Sequence, residues 1–474
     1  MKKLLTLLLL ISQLANAQSK EKQTEAFLLR QMKDLKIPGL QAAVVQNGKI
    51  VFSKAYGMAN LQDNVAVDNQ SIFAINSCTK AFTGVAIMQL VEEGKLSLSA
   101  PISNFVDSLP ALWQPITIKQ LLTHISGLPD ILRLESNAGQ ANEAASWKKI
   151  QTLPMDSPTG TQFSYNQTNY VLLGKVIDKL RGKPFAQVFQ EMQFNVVGMP
   201  NTLFGDSRDI IPHFAPTYSF KKAIDGIPLP EPRLTNNYVE FMPARRTGSG
   251  LNSTAEDMAH WIIALQQGKL FKNKETLNAL WTPATFNNGQ PTQWAMGWGV
   301  NKWRPRHRAF GMTGGSRSAF LVYPDDNLAV IVLTNLGGAS PENFLEELAG
   351  IYNPDIPAAD PITTLRIELN KRGYNQAIET VADIRKKDPT FKPDENELND
   401  WAYRVMSSDR TADALALFQL NAHLYPESWN VYDSLGEALL KLGRKEEAIR
   451  MYRKSVELNP NNNGGKKVLE RLGR

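Results

Sequence analysis

Two pairs of strand-forming runs, one near each end of the first 340 residues, constrain the fold of this chain most. In the first pair, apolar residues across 40–53 flank Asn47-Gly48, and this dipeptide favours the positive φ angles of a tight hairpin turn. In the second pair, the runs 319–323 and 328–333 flank a turn that contains proline and aspartate. Strands so far apart in the chain predict one sheet that is assembled from distant segments.

The chain between these hairpins has a mainly helical pattern. From 100 to 240 the helical runs are separated by proline-rich connections such as 227–232. A further helix start is predicted at Ser253, which forms a capping-box pattern with Glu256. Strands at both ends with helices between them predict an α+β fold with a helical insertion.

Residues 1–17 have the features of an export signal peptide. They comprise a basic start at 2–3, an apolar core at 4–11 and an Ala-Asn-Ala cleavage site at 15–17. The apolar core is far shorter than the ~20 residues that span a bilayer, and no later apolar run reaches that length. We therefore expect a mature chain that starts near Gln18, is periplasmic or secreted, and has no stable membrane anchor.

Composition narrows the classes of function. The formal charge of +6 is modest and no dense basic tract occurs, so the sequence does not favour binding to nucleic acid. The single cysteine, Cys78, excludes an intrachain disulfide and is expected to be a small buried thiol. The five histidines show no paired-ligand spacing, so neither a metal site nor a cofactor is predicted. His124 is expected to bond to nearby backbone.

Beyond residue 353 the pattern changes to short helices that recur every 34 residues. The positions that match between two copies are Ala414, Phe418 and Pro426 in the first and Ala448, Tyr452 and Pro460 in the second. A looser third copy lies around Ala377. A repeat of this length, with a closing proline, resembles tetratricopeptide repeats, which present a groove to a protein or peptide partner. We therefore predict tetratricopeptide-like helical repeats over 360–474.

A serine and a lysine three residues apart lie where a strand-like run, 72–75, meets a helix that is predicted to be amphipathic. Positions i and i+3 share one face of a helix, so the Lys80 amine can reach the Ser77 hydroxyl. Three other Ser-x-x-Lys tetrapeptides occur, but none of them opens a long helix after a strand. The pair predicts a hydroxyl nucleophile that is activated by an amine, and hence acyl transfer.

Two later motifs accompany Ser-Cys-Thr-Lys at 77–80, namely Leu-Leu-Thr-His-Ile-Ser-Gly-Leu at 121–128 and Phe-Ser-Tyr-Asn-Gln at 163–167. Together these motifs resemble those of the penicillin-recognising serine hydrolases, in particular the branch of class C β-lactamases, D-Ala-D-Ala carboxypeptidases and esterases. The resemblance implies a β-lactamase/transpeptidase-like antiparallel sheet flanked by helices, with an all-helical subdomain. We accordingly predict a β-lactamase-like serine hydrolase domain over 18–353.

The same resemblance implies roles for individual residues. Ser77 is expected to be the nucleophile that forms an acyl-enzyme. Lys80, partly desolvated and therefore with a lowered pKa, is expected to accept or relay the serine proton. Tyr165 takes the position of a tyrosine that exchanges protons with nucleophile and leaving group, and a lysine cation beside it would favour the phenolate. An oxyanion needs two donors, and the resemblance supplies the backbone N–H groups of Ser77 and Gly315.

Two motifs depart from the family pattern. The second ends in Gln167 where Asn is usual, although its amide can still donate and accept one methylene further out. The third, 312–315, reads Met-Thr-Gly-Gly instead of Lys-Thr-Gly or His-[Ser/Thr]-Gly, so it lacks the cation that steers a substrate carboxylate. An Arg-Thr-Gly at 246–248 fits better but precedes a helix, not a long strand. The candidates to replace the lost charge are Arg317, His307 and Arg308. The predicted substrate-binding residues are Gln167, Thr313, Gly314 and Arg317.

These features predict an exported serine hydrolase that acts through an acyl-enzyme on an ester or peptide amide, with weak or no β-lactam turnover. Two alternatives stay open. One is a non-catalytic sensor or scaffold that retains the fold, which Met312 and Gln167 favour. The other is a D-Ala-D-Ala cell-wall peptidase. The expected partners are a small-molecule or peptide substrate and a protein or peptide that the repeats bind.

Overall fold

The computed structural model describes residues 2–134, 143–224, 226–407 and 410–473, with side chains from residue 19 onward. The predicted signal peptide, 1–17, therefore lies outside the described side chains. Within the described part of the chain, no helix is both long and apolar enough to cross a membrane. The chain divides into two compact units, Met1–Tyr352 and Asn353–Arg474.

The first unit is built around a mainly antiparallel arrangement of strands. In chain order these are β1 (Gly39–Gln46), β2 (Lys49–Asn60), β3 (Val65–Ala66), β4 (Phe73–Ala74), β5 (Leu203–Phe204), β6 (Tyr218–Ile224), β7 (Ile227–Asn236), β8 (Leu251–Ser253), β9 (Gly299–Lys302), β10 (Ala309–Gly314), β11 (Ser318–Tyr323), β12 (Leu328–Thr334) and β13 (Leu336–Gly337). The large sheet has the order β3-β2-β1-β12-β11-β10-β9, and two small sheets have the orders β13-β6-β7 and β4-β8-β5.

The large sheet joins the two ends of the first unit, as the sequence predicts. The hairpin turn between β1 and β2 has positive φ angles of 52° at Asn47 and 70° at Gly48. Strand β1 then pairs antiparallel with β12, with Leu40 opposite Thr334. Every residue of β12 is buried, so both faces of the sheet are covered.

The β6–β7 hairpin corrects one prediction. The proline-rich stretch 227–232 was predicted to be a connection between helices, whereas it lies in β7. This strand pairs only with β6 in its small sheet and is largely exposed. Proline is tolerated there because an edge strand can leave its outward backbone positions without ladder hydrogen bonds.

Helices cover the large sheet, and several of them lie between β4 and β8 in the order of the chain. Those of the first unit are α1 (Lys2–Leu35), α2 (Thr79–Glu92), α3 (Ile118–Leu122), α4 (Glu143–Ile150), α5 (Gln167–Arg181), α6 (Phe185–Phe189), α7 (Asn195–Val197), α8 (Arg246–Ser249), α9 (Ala255–Gln266), α10 (Lys274–Leu280) and α11 (Leu345–Tyr352). Helix α9 packs on β1 and β12, and α11 packs on β11, β12 and α1. Helix α2 is buried along nearly its whole length, so the prediction of an amphipathic helix is wrong.

The start of α9 differs from the predicted capping box by one residue. Thr254 is the N-cap, and its hydroxyl accepts the backbone N–H of Asp257 at 3.1 Å. Ser253 belongs to β8, where it is paired with Phe73, and its hydroxyl bonds to Thr202 at 2.7 Å. Strand pairing therefore moves the helix start one position along the chain.

The second unit consists of helices around its own apolar core. They are α12 (Asp355–Ala358), α13 (Pro361–Arg372), α14 (Ala377–Lys387), α15 (Glu395–Ser407), α16 (Thr411–Leu424), α17 (Trp429–Lys441), α18 (Lys445–Leu458) and α19 (Asn463–Arg471). Consecutive helices pack in pairs, including α15 with α16 and α17 with α18. Gly436 on α17 lies against the Tyr452 ring, where a larger residue would overlap.

Candidate active site

Ser77 lies in a short 3-10 turn, Asn76–Cys78, between β4 and α2. It therefore precedes the long helix, which begins at Thr79, by two residues. The turn is fixed against the sheet because the Cys78 thiol lies 3.7 Å from the carbonyl oxygen of Met312 and 3.8 Å from that of Ser318. Burial raises the pKa of this thiol, which makes it an inert packing group. The prediction for Cys78 is confirmed.

Lys80 is fully buried on the first turn of α2. Its Nζ donates to the carbonyl oxygen of Gly248 at 2.8 Å and to Oε1 of Gln167 at 3.0 Å. Burial, followed by the nearby positive charge of Arg245, lowers the pKa of Lys80 well below its usual value. The environment therefore favours a neutral amine.

Tyr165 faces the lysine and contacts the serine. The Lys80 Nζ lies 4.6 Å from the centre of the Tyr165 ring and 4.9 Å from that of Tyr170. Desolvation acts most strongly on the pKa of Tyr165, and the nearby side chains of Ser77 and Gln167 oppose it by lowering that pKa. The ring remains 37% exposed, yet the protein around the hydroxyl raises the pKa of Tyr165 by desolvation. This direction is opposite to the phenolate form that the sequence led us to expect.

Gln167 is held by the start of α5. Asn166 is the N-cap, and its side chain accepts the N–H of Asn169 at 3.2 Å and donates to the carbonyl oxygen of Leu128 at 2.6 Å. The backbone N–H of Gln167 donates to Asp130 at 3.2 Å. These bonds join two loops that lie about forty residues apart in the sequence. They orient the Gln167 side-chain amide toward Lys80.

His124 contacts both the start of α5 and the Tyr165 ring. Its Nδ1 accepts the backbone N–H of Asn166 at 3.0 Å, so the ring proton lies on Nε2. Burial lowers the pKa of His124 well below its usual value, and its ring packs 4.5 Å from the Tyr165 ring. A neutral histidine that bonds to backbone confirms the prediction. Trp294 packs edge-on against both rings, a contact that no sequence motif indicated.

The third motif lies at the end of β10, next to the nucleophile turn. Gly314 is so close to the carbonyl oxygen of Ile75 that a Cβ would overlap with it. Gly315 follows the strand with a φ of 57°, and a Cβ there would stand 3.1 Å from Cγ of Asn76. The Gly315 peptide therefore lies beside the residue that precedes Ser77. Met312 is buried in the apolar core.

The three candidates for the missing cation differ in their surroundings. His307 bonds to Asp326 at 2.8 Å, and Arg308 pairs with Asp325 at 2.7 Å, so each is already matched with a carboxylate. Arg317 lies in the turn directly after Gly315 and is buried. Among the candidates, only Arg317 lies beside the motif.

The structure adds site residues that the sequence analysis missed. The rejected 246–248 segment forms α8 and supplies the Gly248 carbonyl that holds the lysine. The buried cation of Arg245 lowers the pKa of Lys80, and the half-buried carboxylate of Asp130 raises it. Burial lowers the pKa of Arg245 to about 10. Every residue has a backbone carbonyl, so the residue type at position 248 does not indicate this role. Only the fold shows that the Gly248 carbonyl accepts from Lys80.

The described residues contain no group of three or more histidine, cysteine, aspartate or glutamate side chains that could hold a metal ion. What the site does contain is a hydroxyl, a desolvated amine, a phenol and a glycine-rich turn. These are groups that can attack a carbonyl carbon and move protons.

Comparison with known proteins gives a family for each unit. A family model described as Beta-lactamase matches residues 24–350, and one described as Tetratricopeptide repeat matches residues 429–462. These matches confirm the predicted resemblances.

Relatives and solved structures agree with the first model. Protein flp of Staphylococcus aureus (strain MRSA252) is 26% identical over 337 residues, which cover 69% of this chain and 65% of that protein. Teichoic acid D-alanine hydrolase of the same strain is 28% identical over 324 residues, which cover 68% of this chain and 75% of that protein. A solved class C β-lactamase has a TM-score of 0.59 and 16% identity, covering 70% of this chain and 96% of its own. This last likeness concerns the fold, and it confirms the predicted fold class.

Proposed function

We propose that this chain, which belongs to the beta-lactamase family, is a serine hydrolase that works through an acyl-enzyme. The observation that carries the proposal is the state of Lys80, which is fully buried and bonds to two carbonyl oxygens. A neutral amine has two N–H groups and one lone pair. With both N–H groups donated to Gln167 and Gly248, the lone pair is free to accept the proton of Ser77.

In the proposed reaction, Lys80 accepts the Ser77 hydroxyl proton while Ser77 Oγ attacks the substrate carbonyl carbon. The charge on the carbonyl oxygen is stabilised by the backbone N–H groups of Ser77 and Gly315. The proton then passes through the Tyr165 hydroxyl to the leaving group, the bond to that group breaks, and acyl-Ser77 remains. A water molecule repeats these steps, loses its proton to the same relay, and releases the acid and free Ser77.

The raised pKa of Tyr165 suits this relay. A neutral phenol can donate its proton to the leaving group while it receives one from the lysine side. Tyr165 therefore acts as an acid in acylation. The phenolate that the sequence analysis considered is not needed for this role.

For the substrate we propose an ester or a peptide amide, with weak or no β-lactam turnover. Met312 places a buried apolar side chain where related enzymes carry the cation that binds a carboxylate. A relative is named teichoic acid D-alanine hydrolase, and this supports an acyl donor other than a β-lactam. A D-Ala-D-Ala peptidase shares the same mechanism and differs only in this substrate.

We also propose that residues 1–17 export the chain to the periplasm or the medium, and that 18–353 forms the hydrolase domain. The repeats at 360–474 are proposed to bind a protein or peptide partner. The match to a tetratricopeptide repeat model supports that role, since such repeats carry a groove and no chemistry of their own.

The function is tested by labelling the pure protein with a fluorescent phosphonate and a fluorescent penicillin, followed by mass spectrometry of the adduct. We expect the phosphonate on Ser77 and little penicillin adduct. Ser77→Ala should abolish labelling, whereas Ser219→Ala, in another Ser-x-x-Lys tetrapeptide on β6, should not. Labelling by both probes would identify a cell-wall peptidase. Labelling by neither would identify a non-catalytic protein.

A further inference from the structure

Asp130 lies in the chain between α3 and α5, beside the groups that hold Lys80. Its Oδ1 accepts the backbone N–H groups of Leu132 and Gln167, each at 3.2 Å. The side chain of the same Gln167 accepts from the Lys80 amine at 3.0 Å. A single residue therefore links the aspartate to the lysine, and the two N–H groups fix the carboxylate in place.

The second carboxylate oxygen of Asp130 is open. Within the described part of the chain, Oδ2 makes no hydrogen bond or ion pair, and it is not one of the enclosed polar atoms that lack a partner. The side chain is half-buried, so an oxygen that is neither bonded nor enclosed reaches solvent. A bound molecule can therefore contact Oδ2.

The residues around Asp130 place this oxygen at the open side of the site. Leu132, whose N–H bonds to the carboxylate, is 40% exposed, and Tyr165 is exposed to a similar extent. Burial has the largest effect on the pKa values of Lys80 and Tyr165, and the negative charge of Asp130 raises both. The carboxylate thus lies near the groups of the proposed proton relay and also near solvent.

Asp130 lacks the ion pair that a buried carboxylate usually has. For comparison, Asp206 bonds to two nitrogens of Arg208, at 3.1 and 2.7 Å. Burial raises the pKa of Asp130, and backbone N–H groups and the charge of Arg245 offset only part of this effect. Among the described residues, no ion pair joins Asp130 to Arg245. A further positive charge beside Oδ2 would therefore stabilise the ionised carboxylate.

We propose that Asp130 binds an ammonium group of the substrate, so that the preferred ester or amide carries a positive charge close to the scissile carbonyl. This inference rests on the proposed function and names the charge class of its substrate. A fixed carboxylate with one free oxygen suits an ammonium, which donates strong, charge-assisted hydrogen bonds. The exposed Tyr165 ring adds an aromatic face, and such faces attract cations.

The test uses two pairs of esters that differ in one group, an ammonium or a hydroxyl. β-Alanine methyl ester and methyl 3-hydroxypropanoate differ in the acyl half, whereas 4-(aminomethyl)phenyl acetate and 4-(hydroxymethyl)phenyl acetate differ in the alcohol half. In at least one pair we expect kcat/KM of the cationic ester to exceed that of the neutral ester by about tenfold, the usual effect of a charged hydrogen bond. That pair identifies the half of the substrate that carries the charge. Hydrolysis without a preference for the cation in either pair would show that the proposal is wrong.

Asp130→Asn keeps an oxygen that accepts the N–H groups of Leu132 and Gln167, and it removes only the charge. It should bring the ratio of the two kcat/KM values close to one, and Asp130→Glu should restore part of the preference. Asp156→Asn is the matched control, since both oxygens of Asp156 already bond to Arg133. Its ratio should equal that of the wild type.

Removal of the Asp130 charge also alters the pKa of Lys80, but this changes the hydrolysis of cationic and neutral esters by the same factor. The ratio within a pair therefore reports only the recognition of the cation. If Asp130→Asn lowers kcat/KM equally for both members of each pair, the carboxylate acts only on the lysine or the loop, and the inference fails.

A binding measurement separates this proposal from the proposed function. Calorimetric titration of the Ser77→Ala protein with the same four esters requires no turnover. Tighter binding of a cationic ester than of its neutral partner, lost in the Ser77→Ala/Asp130→Asn protein, supports the inference even if the wild type hydrolyses no ester. Equal binding of the cationic esters by the two proteins would overturn it, whatever the enzyme activity.

Discussion

At the scale of single residues, Lys80 depends most on its surroundings for its chemistry. The sequence places it one helical turn from Ser77, and that spacing was sufficient to predict an amine beside a hydroxyl. Its two acceptors, Gln167 and Gly248, lie 87 and 168 positions away in the chain. Spacing along a helix carries no information about partners so distant, which is why the acceptors that hold the amine emerge only from the fold.

The lowered pKa of Lys80 predicts the pH dependence of the reaction. The amine must be neutral to accept the serine proton, so the rate falls as pH decreases through its pKa. An ordinary lysine pKa of 10.5 would make the rate rise about tenfold per pH unit throughout the neutral range. Because burial lowers this pKa, we expect the rate of Ser77 phosphonylation to reach its plateau well below pH 10.5 and to fall tenfold per pH unit only on the acid side of that plateau.

The measurement is the second-order rate of phosphonate labelling between pH 5 and 10, with an uncharged phosphonate. Lys80→Arg is the control, because a guanidinium stays protonated and should give very slow labelling at every pH. A wild-type rate that keeps rising tenfold per unit up to pH 10 would contradict a lowered lysine pKa.

At the scale of elements, local signals predicted the strands well and the irregular segments poorly. Asn47-Gly48 fixed the first hairpin because its backbone preference is intrinsic to those two residues. The proline-rich strand β7 was missed, since its exposed edge position removes the conflict that proline normally has with a sheet. The N-cap of α9 moved from Ser253 to Thr254 because β8 takes up Ser253. For the N-cap, pairing of β8 with the distant strand β4 decided the outcome.

Helix α8 offers a test of how tightly the lysine is positioned. A Cβ on Gly248 would lie 2.6 Å from Oε1 of Gln167 and 3.3 Å from Nζ of Lys80. The φ of Gly248 is not positive, so alanine is compatible with the backbone and the conflict is purely steric. We expect Gly248→Ala to slow Ser77 labelling by about 10- to 100-fold, since displacing a catalytic group by about 1 Å has effects of that size.

Labelling rate and thermal unfolding of Gly248→Ala are measured together. Ser249→Ala, the next residue of α8, is the matched control and should label like the wild type. A Gly248→Ala protein that labels at the normal rate would show that the amine tolerates displacement, and the role assigned to α8 would be wrong.

At the scale of the whole molecule, the chain combines two units that are each organised around a core of their own. The first brings residues 39–46 and 328–334 together in one sheet, and the end of its strand β10 places Gly314 and Gly315 against Ile75 and Asn76, which precede Ser77. The second is held mainly by contacts between neighbouring helices, as a repeat architecture is. The period of 34 residues was therefore readable from the sequence, whereas the grouping of Ser77 with the glycine-rich turn needed a family resemblance to be predicted.

Separate cores predict that damage to the repeats leaves the active site intact. On Gly436, an added Cβ would lie 2.9–3.2 Å from atoms of the Tyr452 ring, so Gly436→Ala forces the packed helices α17 and α18 apart. We expect a loss of about 1–3 kcal/mol in the stability of the second unit, as is usual for overpacking.

Gly464→Ala is the control, because its Cβ would meet only Asn462, at 3.4 Å. Calorimetry of the full chain should show one transition lowered in Gly436→Ala, while phosphonate labelling of Ser77 proceeds at the wild-type rate below that transition. A parallel fall in labelling would mean that the two units unfold as one cooperative structure.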